Sequence, residues 1–406
     1  MMSNESADAV RARRADADQL AGLLVDARRH TLATLGAYER ALGAEGIAVP
    51  YSPQLNPPRW ELGHVGWFQE WWLRRNPQRM RGAAADPDTA RPPPRRAGAD
   101  SWFDSSRVPH RDRWQLPLPS ADALRDDLAR GLDDTLTLLR DSAADDDALY
   151  FYRLCLFHED MHHEAALYMA QHLGVPADDG WARRPHALTG EIALDGGVHS
   201  TGDPGAGFAF DNELGAHAIT LDRFTIDAAP VTWAQYCEFI AAGGYQRREL
   251  WSADGWAWLQ GEALQAPRYL RAAGSTWQRL TFGSWRPLDP AQPAMNLSWH
   301  EAQAYCGWAG RRLPTEGEWE FAAERAGGAF AWGQVWEWTA SAFAPYPGFV
   351  AHPYRDYSAP WFHTRHVLRG GSFATHARMK HTRYRNFFPP DRNDIFAGFR
   401  TCAARR

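Results

Sequence analysis

The chain has few cysteines and no long run of apolar or basic residues. Its four cysteines are Cys155, Cys237, Cys306 and Cys402. They are far apart and form no C-x-x-C pair, which argues against a disulfide framework and against a zinc ribbon. The N-terminal segment has no apolar signal-peptide core, and no apolar run reaches the about 18 residues that cross a membrane. We therefore expect a cytoplasmic protein with reduced thiols and no membrane partner.

The charge of the chain excludes another class of partner. The net charge is -5 at pH 7, and lysine and arginine form no long block. Without a concentrated positive field, the protein is not expected to bind nucleic acid, and small molecules are the expected partners. The length of 406 residues exceeds what one core usually supports, so two domains are predicted. The sequence leaves the oligomeric state open.

Periodic apolar residues predict helices in the first part of the chain. The predicted helices cover Leu20–Tyr38, the segment that begins at Pro57 and Pro58, Ser120–Leu139 and Asp147–Leu173. Apolar residues recur there at spacings of three and four, and proline and serine stand where helices begin. Residues 76–119 are rich in proline, arginine and glycine and predict a long irregular connection. Four helices with one long crossover favour a four-helix bundle.

The fourth predicted helix contains the motif FHEDMHHE at residues 157–164, which includes H-E-x-x-H. His158 and His162 share the apolar stripe of this helix and should face the core, whereas Glu159 and His163 lie off the stripe. His64 lies on the inner face of the second helix. Three inward imidazoles predict a metal site, and a hydrogen-bonded polar core is the alternative.

The same motif also occurs in zinc proteases. The extended protease motif would require glycine and histidine at the positions of Ala165 and Tyr168. Glu191 stays open as a third ligand for that reading. A Glu159 that points away from the metal could not act as the general base of a protease, so this alternative is disfavoured.

The texture of the sequence changes after residue 195. Short β-rich runs alternate with glycine, proline and tryptophan, and only the segments around VTWAQYCEFIAAGG and SWHEAQAYCGWAG predict helices. No internal repeat is present. An α+β domain with much irregular structure is predicted.

Five segments in this second part resemble a known domain. They read PAMNLSWHEAQAYCGWAGRRLPTEGEWEFAA, VWEWTAS, VLRGGSF, TRYRN and AGFR. Together they resemble the formylglycine-generating-enzyme (sulfatase-modifying factor) domain, which has a C-type-lectin-like fold. Formylglycine-generating enzymes use a cysteine pair near the RGGS segment, and this chain has no cysteine between Cys306 and Cys402. Their oxidase chemistry is therefore not expected.

The whole chain resembles the ergothioneine and ovothiol sulfoxide synthases, through RWELGHVGWFQE and HEDMHHE ahead of the second domain. The resemblance implies an α+β protein with a DinB-like four-helix bundle over residues 1–178 and a formylglycine-generating-enzyme-like domain over residues 185–406. It also implies that His64, His158 and His162 bind iron(II). Members of this family use O2 to join a sulfur donor to the imidazole of histidine or of its trimethylbetaine, hercynine. The spacing of the ligands alone does not separate iron from zinc.

The resemblance further implies a set of catalytic and substrate-binding residues. The tyrosine pair of the family matches Tyr354 and Tyr357 in PYRDYSAPWF, and Tyr354 is the expected proton or hydrogen-bond donor during the reduction of O2. The expected substrate-binding residues are Arg385, Asn386, Phe387, Phe388, Arg392, Arg113 and Met161. Aromatic faces among them suit a trimethylammonium group.

Departures from the family pattern concern the chalcogen donor. Synthases that use γ-glutamylcysteine have an acidic residue shortly after the RN motif and an arginine-rich segment in the first-domain loop. This chain has RNFFPPDR and HRDRWQLPLPS there, and Met161 where a glutamine often lies. A different donor is implied, as in the selenoneine synthases, which join a seleno-N-acetylglucosamine to hercynine.

Three alternatives to this function remain. The first is the same chemistry with γ-glutamylcysteine or cysteine as the donor. The second is a DinB-like zinc thiol transferase, which would keep the three histidines but would not need the second domain. The third is a non-catalytic protein that binds a sugar through its lectin-like domain.

Overall fold

The computed structural model of the chain describes residues 4–43, 49–177 and 188–405. The first domain is helical. Its α-helices are α1 (Asn4–Arg13), α2 (Ala17–Leu42), α3 (Pro58–Trp72), α4 (Ala99–Phe103), α5 (Ala121–Arg140) and α6 (Asp146–Leu173). Helices α2, α3, α5 and α6 correspond to the four predicted from the sequence. The predicted domain limits at residues 178 and 185 lie outside the described residues.

Polar side chains cap the starts of α5 and α6, and the cap at Ser120 is the one predicted from the sequence. Ser120 accepts a hydrogen bond from the backbone N–H of Ala123 and begins α5. Asp145 accepts one from Ala148 and begins α6, which ends at Gly174 in the left-handed conformation (φ 73°). Each cap satisfies backbone groups that the first or last turn leaves without a partner. The caps therefore fix where the two helices start and stop.

Helix α6 is enclosed on nearly all sides. It packs against α2 and α3 of the bundle, and the second domain covers its remaining face. Glu159 and His163, which lie off the predicted apolar stripe, are buried as well, because they contact Arg28, Thr31 and Thr34 of α2. A single apolar stripe describes only one face of α6, because an enclosed helix also buries polar side chains that find partners on its other faces.

The connection between α3 and α5 is more ordered than the composition of residues 76–119 predicts. It contains α4 and two 3-10 segments, Arg79–Ala84 and His110–Trp114. The first 3-10 segment packs against α6, and Gly82 (φ 50°) lies so close to Asp147 that a Cβ atom would collide with it. Tertiary contacts thus order a segment whose proline and arginine content favours irregular structure.

The second domain is α+β, as predicted. Its helices are α7 (Trp233–Ala241), α8 (Ala253–Glu262), α9 (Trp299–Ala309) and α10 (Glu316–Arg325). Its strands are β1 (Glu191–Leu194), β2 (Gly197–Thr201), β3 (His217–Leu221), β4 (Phe224–Asp227), β5 (Leu270–Ala273), β6 (Thr276–Thr281), β7 (Ser284–Pro287), β8 (Arg311–Arg312), β9 (Trp336–Ala342), β10 (His366–Arg369), β11 (Asn386–Phe388), β12 (Ala397–Gly398) and β13 (Cys402–Ala403). Helices α7 and α9 are the two predicted from the sequence.

The sheets of the described residues have the strand orders β1-β4-β13-β8, β11-β10-β9-β12, β2-β3 and β5-β6-β7. In the second of these, β10 is antiparallel to both β9 and β11, and β12 is parallel to β9. None of the described helices combines the length and the apolar character that a bilayer span needs.

The second sheet and its adjoining loops meet the outer face of α6. Trp336 of β9 donates a hydrogen bond to Glu164, and Arg378 forms a bidentate ion pair with Asp160 (both N···O distances 2.7 Å). These contacts are buried and connect residues more than 170 positions apart in the chain. They hold the helix with two of the predicted metal ligands between the two domains.

Candidate active site

The three predicted metal ligands meet in the structure. His158 and His162 lie one turn apart on α6, and His64 faces them from α3. Their donor nitrogens all lie within 4.8 Å of one another. The ring centroids of His158 and His162 are 4.4 Å apart, and those of His64 and His162 are 4.8 Å apart. The geometry brings together three imidazoles from two facing helices.

Outer partners orient two of these rings. Nδ1 of His64 lies 2.7 Å from the carbonyl oxygen of Phe103, and Nδ1 of His162 lies 2.5 Å from a carboxylate oxygen of Glu61. A neutral ring that donates from Nδ1 presents an unprotonated Nε2 to a metal. Nε2 of His158 is buried without a hydrogen-bond partner among the described residues. Such a buried nitrogen fits a metal ligand.

Burial keeps the imidazoles of His64 and His158 neutral. It lowers the pKa of His64 to about 3, and it lowers the pKa of His158 well below its ordinary value. Burial opposes ionisation of Glu61, but His162 and His64 beside it lower the pKa of that carboxyl to about 2. At neutral pH His64 and His158 are therefore neutral and Glu61 is ionised, and neutral imidazole is the form that binds a divalent metal.

Aromatic rings support the histidines from behind. Phe68 stacks on His158 with a centroid distance of 3.5 Å, and Trp60 stacks on His64 at 4.8 Å. The guanidinium of Arg113 lies 3.9 Å from the Trp60 ring centroid. Its hydrogen bonds go to Asn56 and to the backbone of Ser105 and Val108. Arg113 therefore supports the stack below His64 and does not reach the cavity that follows, which corrects its predicted contact with substrate.

A cavity of about 230 Å³ opens beside the histidines, between α6 and the second domain. Its lining residues are His158, Met161, His162, Glu164, Ala165, Tyr168, Trp336, Tyr354, Tyr357, Tyr384, Asn386, Phe388 and Ile395. Among the residues predicted from the sequence, it brings together two metal ligands, Met161, both tyrosines, Asn386 and Phe388.

Arg385 and Phe387 lie outside the cavity, because side chains alternate along the RN segment and β11. Successive side chains of β11 point to opposite faces, so Asn386 and Phe388 line the cavity whereas Phe387 stacks on Phe343 at 4.0 Å. Arg385 also points away. It pairs with Glu316 (2.8 Å) and donates to the carbonyl oxygen of Asn212 (2.6 Å). Direct substrate contact by Arg385 and Phe387 is corrected accordingly.

Arg392 occupies a position behind the lining. It forms a bidentate ion pair with Asp394 (2.6 and 2.8 Å). Its guanidinium lies 5.0 Å from the ring centroid of Phe388 and 5.7 Å from that of Tyr168. Both rings line the cavity, so Arg392 acts on it through them and has no lining surface of its own.

The two tyrosines differ in their hydroxyl contacts. The hydroxyl of Tyr357 donates to the sulfur of Met161 (3.6 Å). Tyr354 packs edge-on against Phe68 (4.9 Å), and its ring centroid lies 6.1 Å from that of His158. Among the described residues, no hydrogen bond is made by the Tyr354 hydroxyl. Its burial raises the pKa of the phenol, so the proton stays in place at neutral pH.

Similar proteins agree with this arrangement. A model of the sulfatase-modifying factor enzyme 1-like domain matches residues 180–334 and 329–405. The hercynine oxygenase of Mycolicibacterium thermoresistibile is 31% identical, with 94% of this chain and 94% of that protein covered. The hercynine oxygenase of Mycobacterium tuberculosis is 31% identical, with 94% of this chain and 98% of that protein covered.

The chain belongs to the hercynine oxygenase family. A formylglycine-generating enzyme of Streptomyces coelicolor is 30% identical, but the match covers only 49% of this chain. The hercynine oxygenases match both domains, including the helices that carry the three histidines. Whether the helical domain is DinB-like stays a prediction from the sequence.

The structure of this hercynine oxygenase-family chain argues against the zinc-protease alternative. Glu159 turns away from the three imidazoles and forms a buried ion pair with Arg28 (2.7 Å), with Thr31 also donating to it. Glu191 lies on β1, where its carboxylate binds Arg311. Neither carboxylate belongs to the group of potential metal ligands formed by His64, His158 and His162.

Two residues of the site in this member of the hercynine oxygenase family, Glu61 and Glu164, were not predicted from the sequence. Glu61 precedes His64 by three positions and so shares its helix face, a signal that was available. Glu164 closes the quoted FHEDMHHE motif and lines the cavity. Its carboxylate accepts hydrogen bonds from Trp336 (2.8 Å), Ser372 (2.6 Å) and Thr375 (2.8 Å). These partners come from the other domain, and no local pattern reveals them.

Proposed function

We propose that the chain is an O2-dependent, mononuclear non-heme iron enzyme that joins selenium from a selenosugar to C2 of the hercynine imidazole. The observation that carries this proposal is the cluster of three imidazoles, two of which line a cavity whose other walls include aromatic rings and the half-buried carboxylate of Glu164. His64, His158 and His162 would hold the metal. Imidazoles suit iron and zinc equally, so the choice of iron rests on the family.

The reaction is an oxidation by four electrons. The C2–H bond of hercynine and the Se–H bond of the donor break, and a C2–Se bond forms. One oxygen atom of O2 leaves as water with both hydrogens, and the other stays on selenium as a selenoxide. Iron, when bound in the site, supplies the redox chemistry that lets O2 react with these partners.

The cavity fits the cationic end of hercynine. Trp336, Tyr384, Phe388 and Tyr168 surround it with ring faces and edges, and the carboxylate of Glu164 lies among them. A trimethylammonium group cannot donate a hydrogen bond and is bound by aromatic faces and negative charge. Asn386 adds an amide that can hydrogen-bond the substrate carboxylate. We assign Glu164 the role of counter-ion to the substrate.

Tyr354 and Tyr357 have different roles. Tyr354 presents a phenol whose hydroxyl keeps its proton, and it can donate that proton as negative charge develops on oxygen. Tyr357 donates to the sulfur of Met161, so it shapes the wall of the cavity. Both residues exclude water from the side that faces the histidines.

A second cleft adjoins the cavity and fits a sugar. It has a volume of about 370 Å³, and Phe68 and Tyr354 line it at the end near the metal ligands. Hydroxyl, carboxylate, indole and guanidinium groups line the rest, including those of Thr89, Ser105, Ser106, Asp88, Trp71, Arg75, Arg91, Arg107 and Arg355. A neutral sugar is bound by hydrogen bonds and ring faces, which this lining offers.

One observation favours the second candidate, a C–S bond-forming enzyme with γ-glutamylcysteine or cysteine as donor. Arg91 lines the same cleft, 4.4 Å from the Trp71 ring centroid, and its Nε and one Nη atom are buried without hydrogen-bond partners among the described residues. Burial and the nearby Arg75 lower its pKa to about 10. A guanidinium without a counter-charge suits a carboxylate-bearing donor.

A competition assay separates the two donors. Iron(II)-loaded protein, O2 and hercynine are incubated with equal concentrations of the selenosugar and γ-glutamylcysteine, and both products are quantified by mass spectrometry. We expect the selenium product to dominate, because a neutral sugar does not need the paired charges that bind the peptide. A preference for γ-glutamylcysteine would contradict the selenosugar assignment and leave the C2 chemistry in place.

The variant Arg91→Gln gives the same experiment a structural readout. If the peptide is the donor, this change raises the KM for the peptide by about tenfold or more, since one charge-assisted hydrogen bond is lost. If the selenosugar is the donor, its KM changes little. Arg95→Gln, an arginine outside the cleft that pairs with Asp134, is the matched control.

A further inference from the structure

The segment that carries the tyrosine pair is tied at both ends to one carboxylate. Residues 352–358 lie between β9 and β10 and contain no helix or strand. At one end, the backbone N–H of His352 donates to Oδ2 of Asp211 (3.3 Å). At the other end, the hydroxyl of Ser358 donates to Oδ1 of the same side chain (2.5 Å). Tyr354 and Tyr357 lie between these two anchor points.

We propose that Asp211 is a positioning residue that holds Tyr354 and Tyr357 against the metal-ligand face of the cavity. The proposal rests on the proposed function for its catalytic consequence, whereas the anchoring itself is a property of the folded chain. Asp211 is not among the residues that line the cavity.

The chemistry of Asp211 suits an anchor. Its side chain is buried, and it takes part in no ion pair among the described residues. Burial raises the pKa of its carboxyl, and the hydrogen bonds from Ser358, His352 and the Asn212 backbone oppose that rise. Each carboxylate oxygen accepts from a different end of the segment. An amide has only one acceptor oxygen, so in asparagine either the His352 N–H or the Ser358 hydroxyl loses its acceptor.

A second set of contacts fixes the anchor from behind. The side-chain amide of Asn212 donates to the hydroxyl of Ser358 (3.0 Å). Arg385 donates to the carbonyl oxygen of Asn212 (2.6 Å) and to that of Ala344 (2.9 Å), which precedes the tyrosine segment. The arginine of the RN segment thus connects β11 to Asp211 and to the loop, which gives this buried residue a positioning role.

The anchor also acts on the phenols through charge. Burial raises the pKa of Tyr354, and the carboxylates of Asp356, Asp104 and Asp211 raise it further. A negative charge near the ring disfavours the phenolate. Asp211 therefore helps to keep the proton on the residue that is proposed to donate it.

Hydrogen exchange tests the anchoring without any turnover. In the iron-loaded full chain, Asp211→Asn is expected to speed backbone exchange in the peptide that contains residues 352–358 by about tenfold, because one end of the segment loses its acceptor. The matched control is Asp203→Asn, another buried aspartate whose carboxylate accepts from the backbone of Gly205. If the backbone exchange rate of this peptide were the same in both variants and in the parent protein, the proposal would be overturned.

Coupling measurements test the consequence for catalysis. Asp211→Asn should lower the yield of product per O2 consumed and leave the KM for hercynine within about twofold of the parent value. In the double variant with Tyr354→Phe, the yield should be no lower than with Tyr354→Phe alone, because both changes act on one unit. Independent, multiplicative losses would refute the positioning role. Faster exchange in a chain that never consumes hercynine would refute the proposed function and leave the anchoring intact.

Discussion

Replacement of His158 by alanine is expected to abolish both iron binding and turnover. His158 is the only one of the three ligands whose Nε2 is buried without a hydrogen-bond partner among the described residues, so alanine removes a ligand and leaves a cavity beside Phe68. Loss of an outer partner of a metal ligand costs about 10–100-fold in affinity, and loss of the ligand should exceed that. Iron content by elemental analysis, with thermal unfolding to verify the fold, measures the effect.

Two variants on the same helix are matched controls. His163→Ala removes a buried imidazole whose Nε2 bonds Thr34, and iron should stay near the parent stoichiometry. Glu159→Ala leaves Arg28 without its buried partner, so the free energy of unfolding should fall by about 3–5 kcal/mol while iron is retained. If the Glu159 variant lost iron and the His158 variant retained it, the result would favour the zinc-protease alternative.

Tyr354→Phe is expected to uncouple O2 consumption from product formation. The phenylalanine keeps the packing against Phe68 and Trp72, so fold and iron content should survive. The lost hydroxyl removes a positioned acid, a contribution of about 10²–10⁴-fold in rate. The readout is O2 uptake measured together with the coupled product and the oxidised donor. A drop in product with continued O2 uptake is the expected pattern.

The Tyr357→Phe variant shows which tyrosine acts. Its hydroxyl donates to the sulfur of Met161, so we expect a modest fall in activity with coupling retained. Unchanged coupling in the Tyr354 variant would remove that residue from the mechanism. A loss confined to the Tyr357 variant would mean that the two roles are exchanged.

The cluster of three histidines could be predicted from the sequence because its signals are local. The spacing of His158 and His162 places them on one helix face, and Pro57 and Pro58 fix the start of the helix that carries His64. Period and capping chemistry depend on neighbours within a few residues. For the same reason the four long helices of the first domain lie where the sequence predicts them.

The second half of the site depends on contacts that local patterns do not encode. Arg385 and Asn386 are adjacent in the sequence, but strand pleating sends the arginine to Glu316 and the amide to the cavity. Asp211 meets Ser358 across about 150 residues of chain, a separation fixed by tertiary structure. Glu164 lies inside the motif FHEDMHHE, but its proposed role follows only from its hydrogen-bond donors on the second domain.

Oxygen-dependent consumption of hercynine by the purified, iron-loaded chain tests the central claim most directly. The protein is incubated with hercynine and a chalcogen donor, in air and under strict anaerobiosis, and the C2 proton of the imidazole is followed by NMR together with O2 uptake. We expect the C2 signal to disappear only in air and only with iron, with about one molecule of product formed per molecule of O2 consumed. An unchanged C2 proton in air with stoichiometric iron, or equal conversion with zinc and no O2, would contradict it.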